Sequence, residues 1–138
     1  MTELTLKRRN ITYMELELRS FASGSSGNCE YIGFGGKGIL IDAGVSAKRL
    51  TAALESNNIE PSAILGIFVT HEHSDHIKGM RILASTYRIP VYASEGTIAA
   101  LEEAGQLTTR FPYEVIDSKG MEIGDIFVKP FNVPHDVA

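Results

Sequence analysis

The sequence predicts an α/β fold, with a mixed β-sheet and helices packed on its outer face. Residues 14–41 read as successive antiparallel strands joined by short turns. From residue 46 onward, helical patterns alternate with short apolar runs, an order typical of parallel strands joined by helices. The composition, 43% hydrophobic and 22% charged residues, is ordinary for one globular domain of 138 residues.

Composition also limits the class of protein. The chain has one cysteine, which excludes an internal disulfide, and Cys29 lies in a strand-like run where a small core residue is expected. The formal net charge is −4, so the chain lacks the basic excess typical of nucleic-acid-binding domains. No secretory pattern and no apolar run of membrane-spanning length is present, so we expect a cytoplasmic protein.

The first third of the chain predicts an extension followed by strands. Residues 1–13 are polar and precede a second Met, so we expect an N-terminal extension, arising from an upstream start codon or forming a short extra strand. Residues 14–21 alternate like a first strand. Residues 29–34 and 38–41 predict a hairpin around a Gly-Gly-Lys turn.

Between these strands lies a loop, Ala22–Asn28, with the sequence Ala-Ser-Gly-Ser-Ser-Gly-Asn. One interpretation is a flexible turn, since glycine tolerates positive φ. The other is a phosphate pocket lined by backbone N–H groups and hydroxyls. No Lys-Ser/Thr ending of a P-loop follows, which argues against nucleotide binding of that type.

The remainder of the chain alternates helices and strands. Helices with N-terminal serine caps or apolar faces are predicted over residues 46–57, 76–87 and 94–105. Strands are predicted over residues 64–70, 89–93 and 126–131, with an irregular segment or short strand over 111–116. A helix joins the first two of these strands, so we expect them to be parallel.

Three of the four histidines lie in one six-residue stretch, His71-Glu72-His73-Ser74-Asp75-His76, directly after a predicted strand. Imidazole and carboxylate groups at this density are typical of a metal site, although a polar loop with solvated histidines is the alternative. In extended chain, His71 and His73 point to the same side and can bind one ion. In a helix they would diverge by about 200°.

We expect Ser74 or Asp75 to cap the next helix. That turn would direct Asp75 and His76 toward a second point, which fits a two-metal centre with ions about 3.5–4 Å apart. His135, near the end of the chain, is the best candidate for the third ligand of the first ion. The adjacent Asp136 carries little weight, because neighbouring residues on a regular strand point apart.

The pattern His71-x-His73-x-Asp75-His76 after Thr70 resembles the signature of the metallo-β-lactamase fold superfamily. The stretches 22–32 and 41–44 are similar to the YycJ (WalJ) group of that superfamily. The resemblance covers residues 14–138. It implies the N-terminal half of an αββα sandwich, truncated at the C-terminus, because the family takes a bridging Asp and a final His from a later segment.

The resemblance implies a metal-dependent phosphodiesterase, a DNA exonuclease that uses a metal-activated hydroxide. DNA would be the substrate, and two divalent ions would add positive charge that the whole-chain count ignores. Zn suits the imidazoles, with Mn and Fe as alternatives. One ion would take His71, His73 and His135, and the other Asp75 and His76. Asp75 is also the candidate catalytic residue, since it can orient the hydroxide.

Two acidic residues near this pattern have open roles. Asp42 is either a turn residue before Gly44 or a residue that orients a ligand or its loop. The resemblance favours the second role, because the family's first motif has an Asp at this place. Glu72 is expected to face solvent or to lie behind the ligands. The zincin pattern His-Glu-x-x-His does not apply, because the spacing differs.

Three alternatives stay open. One is a thioester or lactone hydrolase of the glyoxalase II type. A second is β-lactam hydrolysis, against which the absence of a secretory pattern and the Gly/Ser motif argue. The third is an inactive truncated fragment or interaction module, which would expose the face left by a missing half and self-associate through it.

Overall fold

The computed structural model describes residues 2–8 and 16–132, and the side chains of residues 16–130. Its strands are β1 (Thr2–Arg8), β2 (Glu17–Ala22), β3 (Cys29–Phe34), β4 (Lys37–Ile41), β5 (Ile64–Val69), β6 (Val91–Ala93), β7 (Tyr113–Val115), β8 (Met121–Ile123) and β9 (Ile126–Asn132). Its helices are α1 (Ala47–Ser56), α2 (Ser74–Ile77), α3 (Met80–Tyr87) and α4 (Glu95–Glu103), with a 3₁₀ turn at Pro61–Ala63.

Within the described residues the strands form two sheets. The larger has the order β2-β3-β4-β5-β6-β7, antiparallel from β2 to β4 and parallel from β4 to β7. The smaller has the order β1-β9-β8 and is antiparallel. The mixed sheet with helices confirms the predicted fold class, and β5 and β6 are parallel as expected.

The larger sheet is covered on both faces, and β5 shows this most clearly. Ile67 and Val69 join the apolar cluster that contains the buried residues of α1, α3 and α4. Phe68, which points to the opposite face, packs with Ile123, Ile126 and other residues of the smaller sheet. Burial on both faces explains why β5 reads as a continuous apolar run rather than an alternating one.

The helix predicted over residues 76–87 is wrong in one respect, because it is divided into α2 and α3 at Lys78-Gly79. The Gly79 N–H donates to the Ala43 carbonyl oxygen at 2.8 Å. A Cβ at Gly79 would overlap the carbonyl oxygen of Val45. The contact between Gly79 and the loop after β4 therefore sets the break, and this contact is not readable from helical periodicity.

The predicted caps met different outcomes. Ser46 and Ser94 are N-caps, and each side-chain oxygen accepts a backbone N–H at 3.3 Å. The expected cap by Ser74 or Asp75 is wrong, because α2 begins at Ser74 with His73 in the N-cap position and no side-chain cap. The extended backbone therefore continues through His73, where φ is −67° and ψ is 149°.

Three further regions are compared with the sequence-based expectations. Part of the predicted extension forms β1, the short extra strand that was one of the two possibilities, and it pairs with β9. The short strand β8 was not expected. His135 and Asp136 lie outside the described residues, so the position predicted for His135 stays a prediction. Within the part of the chain that the structure describes, no helix is long and apolar enough to cross a membrane.

Candidate metal centre

The histidine-rich stretch begins just after the carboxyl end of β5 and continues into α2, which contains Asp75 and His76. The parallel neighbour β4 ends beside it, so Asp42 arrives at the same edge of the sheet. The backbone N–H of Asp42 donates to the carbonyl oxygen of Phe68 at 2.8 Å, which extends the pairing one residue beyond β4. Strand pairing thus brings Asp42 next to a cluster 29 to 34 positions later in the chain.

Asp42 is the buried centre of this edge, with 4% of its surface exposed. Within the described residues its carboxylate accepts hydrogen bonds from the Thr70 N–H at 2.8 Å, the Thr70 hydroxyl at 2.6 Å and His76 Nδ1 at 2.7 Å. Burial raises the pKa of Asp42, and the hydrogen bonds from Thr70 and His76 oppose that rise. Its φ of 64° is left-handed, a conformation that Asp tolerates better than most residues.

The contact with Asp42 fixes the orientation of His76. Because Nδ1 donates to a carboxylate, the neutral ring carries its proton there and keeps a lone pair on Nε2. Nε2 lies 3.7 Å from Asp75 Oδ2. A carboxylate behind a histidine, with the other ring nitrogen free, is the arrangement that proteins use to orient metal-binding histidines. The structure thus supports the orienting role of Asp42 over the turn role.

His71 and His73 extend the cluster toward solvent. The ring centroid of His71 lies 4.5 Å from that of His76 and 5.9 Å from that of His73. Burial and then the neighbouring His76 lower the pKa of His71, which favours the neutral imidazole that metals bind. The side chain of His73 is 71% exposed, and Glu72 beside it is exposed as well.

Asp75 is held from the other side by Asn28, at the end of the Gly/Ser loop. The Asn28 N–H donates to the Asp75 carbonyl oxygen at 2.7 Å. The Asn28 side-chain amide lies 3.3 Å from Asp75 Oδ2. Sequence reasoning missed this contact, because the two residues are 47 positions apart. The only feature of the sequence that pointed to this contact was the presence of Asn28 at the end of the Gly/Ser motif.

The loops around the cluster are interlocked through their backbones. The Gly44 N–H donates to the Asn28 carbonyl oxygen at 2.9 Å, and the Ala43 N–H donates to that of His76 at 2.8 Å. A Cβ at Gly44 would overlap the carbonyl oxygen of Asp75. Only glycine permits this approach, so the Gly/Ser loop, the loop after β4 and the histidine-rich stretch form one packed unit.

The predicted ligands His71, His73, Asp75 and His76 are therefore neighbours at one sheet edge. Their chemistry fits a divalent metal, since it combines neutral imidazoles, a carboxylate and a buried carboxylate that orients His76. Among residues 16–130, however, no three His, Cys, Asp or Glu side chains converge closely enough to hold an ion. The potential metal ligands thus lie near one another in pairs and do not form a complete coordination site.

Comparison with known proteins decides the family. The family model of the Metallo-beta-lactamase superfamily matches residues 22–136, which is most of the chain. The chain belongs to this superfamily. It is 44% identical over 128 residues to the exodeoxyribonuclease YycJ of Bacillus anthracis, covering 91% of this chain and 48% of that protein. It is 40% identical over 118 residues to the exodeoxyribonuclease WalJ of Streptococcus pneumoniae, covering 83% and 44%.

Solved structures agree on the fold. A metallo-β-lactamase from Cronobacter sakazakii is 21% identical and superposes with a TM-score of 0.63 over 73% of this chain and 46% of that one. A metallo-β-lactamase from Novosphingobium pentaromativorans gives a TM-score of 0.59 at 19% identity, over 72% and 42%. At these identities the likeness concerns the fold alone. The chain spans about half the length of the curated relatives it matches.

Proposed function

We propose that this protein is a metal-dependent hydrolase of the YycJ/WalJ type, a phosphodiesterase that removes nucleotides from DNA ends. The observation that carries the proposal is the contact between Asp42 and His76, which leaves Nε2 of His76 beside the Asp75 carboxylate. Two relatives at 44% and 40% identity are exodeoxyribonucleases, which supports the substrate class. A DNA substrate agrees with the cytoplasmic location expected from the sequence.

In this proposal residues 14–138 form the metallo-β-lactamase-like domain, and residues 1–13 precede it as an extension. His71, His73 and His135 bind one divalent ion, and Asp75 and His76 bind the other. Zn is the first candidate for both, with Mn and Fe as alternatives. Bound ions of this kind supply a nucleophilic water at neutral pH and stabilise negative charge on a phosphoryl group.

The protein's own groups prepare that site before a substrate arrives. The hydrogen bond from His76 to Asp42 holds the ring so that Nε2 lies beside the Asp75 carboxylate. The contact with the Asn28 side-chain amide restrains the carboxylate of Asp75, the proposed catalytic residue. Fixing both donors in advance lowers the ordering cost at the moment of reaction.

The Gly/Ser loop gives the site its outer surface. Its residues Ser23–Ser26 are exposed, while Asn28 at its end ties the loop to Asp75. Hydroxyls and backbone N–H groups in such a loop can donate to phosphate oxygens. This placement favours the phosphate-pocket interpretation of the motif over the flexible-turn interpretation.

The test is metal content and hydrolysis by the purified chain. We expect Mn²⁺ or Zn²⁺ to bind in calorimetry and to support release of nucleotides from end-labelled duplex DNA. His76→Ala should abolish hydrolysis and weaken metal binding, because it removes a proposed ligand of one of the two ions. Glu55→Gln, an exposed carboxylate change on α1, is the control and should leave both unchanged.

Other substrates separate the alternatives. Turnover of S-lactoylglutathione without DNA cleavage would favour the thioester hydrolase, and turnover of nitrocefin would favour the β-lactamase. A chain that binds no added metal, hydrolyses none of the three and elutes as a dimer or larger species would contradict the proposal. That result would support an interaction module.

A further inference from the structure

The hydroxyl of Thr70 lies between Asp42 and the ring of His71. Thr70 Oγ1 is 2.6 Å from Asp42 Oδ2 and 3.0 Å from His71 Nδ1. The backbone N–H of Thr70 separately donates to Asp42 Oδ1 at 2.8 Å. Thr70 is therefore attached to the buried carboxylate at two points, and its hydroxyl is also in contact with the first histidine of the cluster.

The direction of these hydrogen bonds follows from counting protons. An ionised carboxylate only accepts, so the single hydroxyl proton of Thr70 points to Asp42. The oxygen of Thr70 then has only lone pairs to offer His71, and Nδ1 of His71 must carry the proton of that contact. His76 Nδ1 is 3.4 Å from Thr70 Oγ1 but 2.7 Å from Asp42 Oδ2, so its proton points to the carboxylate.

We propose that Thr70 is a positioning residue whose hydroxyl couples Asp42 to His71, so that one buried carboxylate sets the tautomer of both His71 and His76. Both rings then carry a proton on Nδ1 and a lone pair on Nε2. The two rings are neighbours, with centroids 4.5 Å apart. The functional meaning rests on the proposed metal centre, since Nε2 is the atom left for an ion. The tautomer itself exists without one.

In this arrangement each ring takes its tautomer from Asp42 rather than from the other ring. His71 is connected to Asp42 by a hydrogen bond to the Thr70 hydroxyl, and His76 is hydrogen-bonded to Asp42 directly. His73 has no such connection among the described contacts, where its Nε2 lies 3.9 Å from the exposed carboxylate of Glu72. Asp42 and Thr70 thus orient two of the three histidines by hydrogen bonds, and the exposed ring of His73 has only its stacking contact with His71 and the nearby Glu72.

The first test uses the metal-free wild-type protein and needs no variant. Nitrogen-15 NMR of the histidine rings at about pH 8, above their usual titration range, distinguishes a protonated from an unprotonated ring nitrogen. We expect the Nδ1–H tautomer for His71, assigned by loss of its signals in His71→Asn. A dominant Nε2–H tautomer at His71 would overturn the proposal, whether or not the protein binds metal.

The second test removes the hydroxyl. Thr70→Val keeps the size of the side chain and the backbone N–H bond to Asp42, so we expect His71 to lose its fixed tautomer and Zn²⁺ affinity to fall by about 10–100-fold. Thr70→Ser should keep both. Thr86→Val is the matched control, because the Thr86 hydroxyl bonds only the Ile82 carbonyl oxygen among the described contacts.

The outcomes separate this inference from the proposed function. Lower affinity in Thr70→Val with an unchanged His71 tautomer would assign Thr70 a packing role and overturn the inference. A wild type with the expected tautomer but no affinity for metal would contradict the proposed function alone. If Thr70→Val does not fold, the wild-type spectrum and Thr70→Ser still decide the question.

Discussion

The second half of the histidine-rich stretch, with Asp75 and His76, is restrained by more hydrogen bonds than the first half, with His73. The side chain of His76 is 18% exposed and bonds Asp42 at 2.7 Å, whereas that of His73 is 71% exposed and lies 3.9 Å from an exposed Glu72. Asp75 is restrained by Asn28, and His71 stands between the two halves. Hydrogen bonds within the fold therefore fix the side chains of the second half, whereas the side chain of His73 in the first half lies nearby but is not fixed by a hydrogen bond among the described contacts.

This difference concerns both folding and binding. A donor fixed by hydrogen bonds loses little freedom when an ion binds, while an exposed ring must be ordered at that moment. The same bonds make the fixed half part of the folded core, so that changes there should alter stability as well as metal affinity. Changes in the exposed half should alter metal affinity alone.

Removing the negative charge of Asp42 should have the largest effect. In Asp42→Asn the Thr70 and His76 donors face an amide, and buried groups left without partners cost about 1–3 kcal/mol each. We expect the free energy of unfolding to fall by about 3 kcal/mol, and Zn²⁺ affinity to fall by about 10–100-fold. Urea unfolding and calorimetry measure the two quantities.

Asp125→Asn is the matched control, because Asp125 is an exposed residue between β8 and β9. It should leave the urea midpoint and the affinity unchanged. A midpoint for Asp42→Asn equal to that of the control would mean that the hydrogen bonds of Asp42 contribute nothing net, and the comparison between the two halves would fail.

Replacing the histidines one at a time tests the comparison directly. His76→Ala leaves Asp42 without one of its donors, so we expect the free energy of unfolding to fall by about 1–3 kcal/mol. His73→Ala removes an exposed ring and should change it by no more than about 0.5 kcal/mol. Both should weaken metal binding in calorimetry. Equal losses of stability in the two variants would show that the halves are held alike.

The sequence predicts much of this region and misses one part of it. The density of His71–His76 and the apolar run before it are local features, so the cluster and its place after a strand could be predicted. The contact between Asn28 and Asp75, and the break at Gly79, come from packing between distant loops. No local pattern encodes such contacts, since they depend on how β4 and β5 pair.

The same reasoning explains the caps. Ser46 and Ser94 act through the residues three positions ahead, so a local pattern was sufficient. The start of α2 is set instead by the extended backbone at His73 and by the loop contacts of Asp75 and His76. The N-cap preference of Ser and Asp did not determine the start of α2, because tertiary hydrogen bonds fixed the backbone there, as is common where a loop carries functional groups.

Asn28 allows a finer test of how the fixed half is restrained. Asn28→Ala removes the side-chain contacts with Asp75 and with the Gly24 backbone, while the backbone bond to Asp75 remains. We expect a loss of about 1 kcal/mol in urea unfolding and a smaller loss of metal affinity than in His76→Ala. Glu103→Ala, an exposed change at the end of α4, is the control. An unchanged affinity would show that Asp75 needs no side-chain restraint from the Gly/Ser loop.

Cys29 reports on the same loop with the smallest effect. The thiol is fully buried, and burial, with smaller contributions from Asp42 and Glu30, raises its pKa to about 12. At about pH 8 it should therefore be labelled by a thiol reagent only when the region around β3 opens, because the thiolate is the reactive form. Asn28→Ala should speed this labelling several-fold, since it loosens the loop that leads into β3, and His73→Ala should not. Equal rates of Cys29 labelling in the two variants would show that the side chain of Asn28 does not limit the opening of β3.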